Sequence, residues 1–249
     1  MTARTTPLQR NTGDGAEAPV IQSANSLLAK LPATELDAVI DRGERISAAA
    51  RQGLFEIGAP IEQVYFPLTG MVSLVTVLKD GTTLERMTIG HEGFVGLGLF
   101  HGVTTHSAKG MCQIEGDFHQ IPAAAFLEVL KNAPRLQTIL HRYAQYAFEV
   151  LAQSAACNST HLVEQRCARW LLMTMDAVQQ RTFNLTQEFL SQMLAVRRSG
   201  VTVAIGALER QGLISHRYGA VTIEDVEGLG KVSCECYATL RKKERELLS

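Results

Sequence analysis

No stretch of the 249-residue chain approaches the ~18 uninterrupted apolar residues of a membrane-spanning helix, and its opening residues, MTARTTPLQRNTGDGAEAPV, hold no apolar signal core. No membrane partner is expected, and the expected location is the cytoplasm. An excess of one charge sign is also missing. Twenty-four Lys and Arg against 25 Asp and Glu leave a formal charge of −1, which excludes a globally basic surface and confines any phosphate affinity to a local patch. The five cysteines, Cys112, Cys157, Cys167, Cys234 and Cys236, are odd in number and contain no CxxC unit. Neither a disulfide framework nor a zinc ribbon is indicated, the Cys234-x-Cys236 pair reads as incidental, and no metal site is expected. GxSxG, HExxH and phosphate-cradling glycine loops are absent, so no catalytic residue is assigned and no enzyme is expected.

What the chain does have is enough apolar residue, 46%, for two ordinary cores. Residues 184–217, NLTQEFLSQMLAVRRSGVTVAIGALERQGLISHR, read as a helix-turn-helix followed by a strand. Thr186 is the N-cap of a first helix with Phe189, Leu190, Met193 and Leu194 at helical spacing. A second helix begins near Arg197 and buries Val201, Ile205 and Leu208, which sets Arg197, Arg198, Ser199 and Thr202 outward. An α-helix fits the DNA major groove, where arginine forks reach guanine and hydroxyls reach bases or phosphates. Gly212 is placed to stop this helix; Leu213–Arg217 and Val221–Ile223 then form a β-wing around Tyr218-Gly219-Ala220. The basic patch follows from Arg181, Arg197, Arg198, Arg210 and Arg217 facing only Glu188 and Glu209. Thr186, Arg197, Arg198, Ser199, Thr202 and Arg217 are therefore the candidate DNA contacts.

Upstream, residues 1–22 are expected as a flexible tail, with a short helix from Asn25 to Ala29 and another opening at Pro32. From Glu44 to Ile121, seven short β-like runs alternate with glycines, the texture of a small antiparallel barrel or sandwich. Asp80-Gly81 has the residue types of a tight hairpin turn with positive φ. Pro134 opens a long helix in which Leu136, Leu140, Tyr143, Ala147 and Val150 alternate by four and three, continuing through Ser154 and Cys157. The stripe reads as a coiled-coil seam for a homodimer, or as a face laid on the β-domain. A two-fold dimer sets two reading helices ~34 Å apart, one turn of DNA, and so implies a palindromic operator. A last helix is expected from Glu224-Asp225-Val226-Glu227 to the basic run ending at Arg245.

The order of these parts, with the segments NSLLAKLP, IEQVYFPLTGMVSLV, IGHEGFVGLGLF, HLVEQRCARWLL and LERQGLI, resembles the Crp/Fnr superfamily of bacterial transcription regulators. The resemblance implies an α+β fold: an N-terminal double-stranded β-helix (jelly-roll-like) domain of the cyclic-nucleotide-binding type, a long dimerisation helix and a C-terminal winged helix-turn-helix. On this chain the expected spans are 23–133 for the β-domain, 134–160 for the helix and hinge, and 161–249 for the DNA-binding domain. Cyclic-nucleotide binders of the family hold the phosphate with an arginine and the ribose with a glutamate. Here the stretch runs through Gly96, Gly98, His106 and Ser107; His106 stands where the arginine is expected, and the glutamate is missing. A mostly neutral imidazole has no fork for phosphate, so these four residues remain effector-pocket candidates while a cyclic nucleotide is not expected. An iron–sulfur cluster is argued against because the β-domain holds only Cys112, and haem because no attachment motif accompanies His91, His101, His106 and His119. No cofactor is expected.

The expected function is a dimeric, sequence-specific regulator binding double-stranded DNA, with RNA polymerase as a further partner if it activates. The alternative is a ligand-binding or protein-docking module without DNA function, for which Arg197 and Arg198 are merely solvated. The two separate on a salt titration, because neutralised phosphates make DNA affinity fall steeply with salt.

Overall fold

The structure, a computed structural model, describes residues 9–10, 17–81 and 83–249. It divides into two compact units, one comprising residues up to Leu74 with Thr88–Gln145, the other Val75–Met87 with Tyr146–Leu247. The first unit opens with β1 (Gln9–Arg10), α1 (Glu17–Ala24), a 3-10 turn at Leu28–Lys30 and α2 (Ala33–Ile40). The strands β2 (Glu44–Ala48), β3 (Gly53–Phe55), β4 (Gln63–Pro67), β5 (Met71–Val77) and β6 (Thr83–Ile89) follow, then α3 (Leu97–Phe100), β7 (Lys109–Ile114), β8 (Gly116–Pro122) and α4 (Ala123–Lys131). The strands make two four-stranded sheets, β1-β2-β8-β4 and β3-β7-β5-β6, of the double-stranded β-helix. Each of the seven predicted runs forms a strand with ends within one residue of those expected.

Two glycines show why the pattern is legible. A Cβ on Gly116 would lie 2.3 Å from the backbone nitrogen of Gly70, and one on Gly70 would lie 2.6 Å from the Phe118 ring. The chain passes itself at that corner with no room for a side chain. Gly81 has the expected positive φ of 85°, but Leu78–Gly81 already exceed a two-residue turn; Thr82 lies outside the described residues.

The N-terminal expectations need correction. The predicted tail includes α1, where Ile21 is buried, and Gln9–Arg10 pair with Ser47 and Ile46; residues 1–8 and 11–16 lie outside the described residues. The helix expected at Asn25–Ala29 gives way to an anchor. Asn25 is wholly buried, its amide nitrogen donating to the carbonyls of Pro67 (2.9 Å) and Gly93 (3.0 Å) and its amide oxygen accepting from the N–H groups of Leu27 (3.1 Å) and Leu28 (3.2 Å). One side chain thus ties the entry segment to the end of β4 and to the loop at Gly93. Glu35, also buried, accepts from the N–H groups of Arg135 (3.2 Å) and Leu136 (2.9 Å), the unpaired donors that open α5 (Pro134–Thr160).

The seam expectation is corrected as well. Leu136, Leu140, Tyr143, Ala147 and Val150 are all buried within the single chain. Four-three spacing marks a stripe without saying what covers it, and here the chain's own residues do. The large apolar residues exposed on α5 are instead Phe148, 65% exposed, and Leu151, 42% exposed.

The second unit continues with α6 (Val163–Val178), β9 (Thr182–Asn184), α7 (Gln187–Met193), α8 (Arg198–Arg210), β10 (Ile214–Arg217), β11 (Ala220–Ile223), α9 (Val226–Val232) and α10 (Cys236–Leu248), with β9–β11 in the order β10-β11-β9. The single C-terminal helix expected from Glu224 is therefore two. Asp225 caps α9 by accepting from the Gly228 N–H at 2.9 Å, and the chain turns extended at Ser233 (ψ 157°) before α10 begins. In α10, Arg241 pairs with Asp176 at 3.3 Å and Tyr237 donates to the same carboxylate at 2.8 Å.

Because all four bonding positions of the Asn25 amide are used in a buried site, Asn25→Ala is expected to cost on the order of 3 kcal/mol, leaving carbonyl and N–H groups unpaired away from water. Chemical denaturation measures this; a change below about 1 kcal/mol would show that water replaces the amide.

Candidate nucleic-acid interface

The site starts from two helices and the turn between them. Thr186 caps α7, its hydroxyl oxygen accepting from the Phe189 N–H at 3.2 Å, so this predicted contact serves first to set the helix start. Phe189, Leu190 and Met193 bury the inner face of α7. At the turn, Ala195 takes a positive φ of 53°, and the Val196 N–H donates to the Ser191 carbonyl at 3.0 Å. A residue that sequence reasoning missed holds this turn. Arg166 of α6 is buried and donates through Nη2 to the carbonyl of Leu194, the last residue before Ala195. Burial lowers its pKa, yet the guanidinium stays charged and takes a carbonyl as its partner.

In α8 the predicted division of faces is present. Val201, Ala204, Ile205 and Leu208 are buried, while Arg197, Arg198, Ser199 and Thr202 are exposed. No side chain caps the helix at Arg197, so the opening N–H groups of α8 stay accessible to an anion. Arg198 lies 4.0 Å from Glu188 with both side chains exposed, a pair worth about 0–1 kcal/mol and easily exchanged for phosphate. Thr202 donates to the Gln187 side-chain oxygen at 2.8 Å, linking the outward faces of α8 and α7. Val203, 70% exposed on the same face, was not predicted. Its signal was an apolar residue out of phase with the buried set, suited to a thymine methyl.

Gly212 ends α8 as expected, with a φ of 72°. Its N–H donates to Glu209 (2.9 Å) and that of Leu213 to Leu208 (3.1 Å), the paired bonds of a glycine-terminated helix. The Glu209 carboxylate then accepts from the His216 N–H at 2.9 Å, docking β10 to the end of α8. The wing closes on Tyr218 (φ 54°) and Gly219 (φ 81°) between the paired Arg217 and Ala220, a two-residue turn of the kind that matches strand twist. Arg217 is exposed beside the tip, and Tyr218 is fully exposed at it.

The effector candidates lie in the first unit and serve its packing. A Cβ on Gly96 would lie 2.4 Å from the Phe94 ring and 2.6 Å from Val64, and one on Gly98 would lie 3.3 Å from Ile61. His106 stacks on Phe55 with ring centroids 3.6 Å apart and planes 8° from parallel, and burial lowers its pKa. A neutral, stacked imidazole carries no positive charge for a phosphate. Ser107 is exposed. Among the described residues no helix is long and apolar enough to cross a membrane.

Comparison with known proteins matches these two regions to two family models. Residues 45–133 match the cyclic nucleotide-binding domain, and residues 165–232 match the Crp-like helix-turn-helix domain. Among solved structures, FixK2 from Bradyrhizobium japonicum superposes with a TM-score of 0.66 at 14% identity, over 77% of this chain and 98% of that one. The c-di-GMP-responsive global regulator CLP of Xanthomonas campestris gives 0.63 at 17% identity over 77% and 99%. A transcriptional regulator of the CRP family from Thermus thermophilus gives 0.62 at 20% identity over 76% and 96%. At these identities the likeness concerns the fold. No curated protein matches the sequence.

Replacing Arg166 by Met keeps an unbranched apolar stem at the position and removes the guanidinium with its bond to Leu194. The C-terminal unit is expected to lose about 1.5–3 kcal/mol, the range for a hydrogen bond to a charged group, with hydrogen exchange rising first at Leu194–Arg197. Unchanged exchange in that turn would mean that Arg166 does not hold it.

Proposed function

Since the chain belongs to the Crp/Fnr superfamily of DNA-binding transcription regulators, we propose that it acts as a homodimer in which two copies of α8 read the halves of a palindromic operator. The observation that carries this reading is the division of α8 into a buried apolar face and an exposed face of Arg197, Arg198, Ser199, Thr202 and Val203. In the proposal Arg198, Ser199, Thr202 and Val203 meet base edges. Arg197, Arg217 and Tyr218 meet the phosphate backbone, and Thr186 holds α7 in place across it. The dimer contact is the exposed side of α5, around Phe148 and Leu151, in place of the buried stripe. Regulators of this superfamily are in general not enzymes, and RNA polymerase becomes a partner where the operator is one of activation.

The β-domain is the sensing part. Its fold is the cyclic-nucleotide type, but His106 does not replace the missing arginine, so the effector is not expected to be held by a cyclic phosphate at that position. An effector acts by favouring one arrangement of the two reading helices over another, a shift of populations between binding and non-binding states.

Operators are found by selecting bound duplexes from a random library. On the selected site Arg198→Ala is expected to cost about 1–3 kcal/mol while leaving binding to random DNA almost unchanged. Equal losses on both would remove its base-reading role. No retention of DNA even at low salt would favour the docking-module reading. Phe148→Glu is expected to weaken the dimer by at least about 2 kcal/mol, roughly 30-fold, measured by sedimentation. A variant that stays dimeric would place the interface elsewhere.

A further inference from the structure

The cysteine pair set aside as incidental in the sequence does not stand alone in the fold. Cys157 lies on the last turn of α5 and His161 one turn further, its N–H donating to the Cys157 carbonyl at 3.1 Å. Cys234 and Cys236 lie on the short segment between α9 and α10 and at the first position of α10. The break that splits the expected last helix brings the two pairs together. The Sγ atoms of Cys157 and Cys234 are 3.5 Å apart, Cys236 Sγ is 3.6 Å from His161 Nδ1, and all four donor atoms lie within 4.8 Å of one another. All three cysteines are buried, and all five in the chain are free thiols.

We infer that Cys157, His161, Cys234 and Cys236 form a structural binding site for a single zinc-type divalent cation that pins the start of α10 to the end of α5. Three thiolates and one imidazole are a donor set of closed structural zinc sites. Bonds of about 2.3 Å to sulfur and 2.0–2.1 Å to nitrogen give a tetrahedron with edges of about 3.5–3.8 Å, the spacing of the two measured pairs. An iron–sulfur cluster interposes its own iron and sulfide atoms between the cysteines and needs a wider cage.

The surroundings fit the same assignment. His161 turns Nδ1 toward the sulfurs, and its Nε2 lies 3.1 Å from the Glu235 carboxylate, which holds the ring in the tautomer that leaves Nδ1 free to ligate. Gln153, one turn before Cys157, donates to Cys236 Sγ at 3.0 Å. A cation with three thiolates leaves a net charge of −1, and α6 supplies the complement. Arg166 and Arg169, both buried on that helix, are close enough to interact electrostatically with the cluster. With four protein donors no open position remains for a substrate, so the site is structural and not catalytic.

The test uses the full chain, purified under reducing conditions, with zinc measured by plasma mass spectrometry. About one zinc per chain is expected, released in equal amount when a mercurial reagent blocks the thiols of the wild-type protein. Metal-free protein titrated with Co2+ is expected to show the thiolate charge-transfer and tetrahedral bands, erased by equimolar Zn2+. Cys157→Ser and Cys234→Ser are expected to abolish tight uptake and Cys112→Ser to keep it. Glu235→Gln, which changes no donor, is expected to weaken affinity about 10–100-fold. Reduced wild-type protein that takes up neither Zn2+ nor Co2+ would overturn the assignment. So would uptake that survives Cys234→Ser, or iron and sulfide in place of zinc.

Discussion

The outward face of the C-terminal unit depends on one buried charge. Arg166 is out of water and must be given an acceptor, and the acceptor it takes is the Leu194 carbonyl at the turn of the helix-turn-helix. A guanidinium in that setting tolerates little displacement, because any movement of the turn leaves a charge unpaired. The turn therefore has one position relative to α6, and α8, which follows four residues later, inherits it. The end of α8 is fixed in the same manner by backbone and carboxylate: Gly212 closes the helix, and Glu209 ties its last turn to β10. Recognition needs side chains free to move on a helix that is not. Arg198 and Val203 are exposed on α8, and the bonds at both ends of α8 hold the helix itself in place.

The weak net charge is consistent with such a design. A chain of −1 is not drawn to DNA as a whole, so its approach relies on the arginines between 181 and 217. Those at the start of α8 sit where the helix also presents unpaired N–H groups, and the two effects add at one point. At the other end of the unit the basic residue Arg241 is held by Asp176 and Glu244. Positive charge is thus only loosely paired at the start of α8, through the exposed Arg198–Glu188 contact, and more closely held at Arg241.

Much of this was legible because it rests on local rules. Glycines at 70 and 116 mark a corner where backbones touch, Gly212 a helix end, and Tyr218-Gly219 a turn between strands; each is a backbone requirement written in one or two residues. The four-three spacing of α8 likewise marked its bare face. What escaped were features whose partners are far along the chain. Asn25 bonds residues 42 and 68 positions away, Glu35 caps a helix 100 residues later, and Arg166 reaches 28 residues to its carbonyl. In α5 the periodicity was read correctly, and its cover stood open between a second copy and the chain's own β-domain. A helix with an apolar stripe shows the same spacing whether that stripe meets its own chain or a second copy, and the exposure of Phe148 decides only once the other stripe is known to be buried.

The sulfur cluster follows from the same reasoning about distance. Familiar zinc motifs are short loops in which two ligands sit two to four residues apart and so announce themselves. Here each half is ordinary: a Cys and a His one helical turn apart, and a Cys-x-Cys before a helix. Neither half holds a metal, and Cys157 and Cys234 are separated by 77 positions. Only the interruption at Ser233 brings them together, because a continuous helix from Asp225 would leave Cys234 and Cys236 two residues apart and so on different faces. The break and the cluster therefore explain each other. A helix stopped at Ser233 gives up backbone bonds that an uninterrupted one would keep, and in the inferred site the binding of a cation by the four donors offsets that loss.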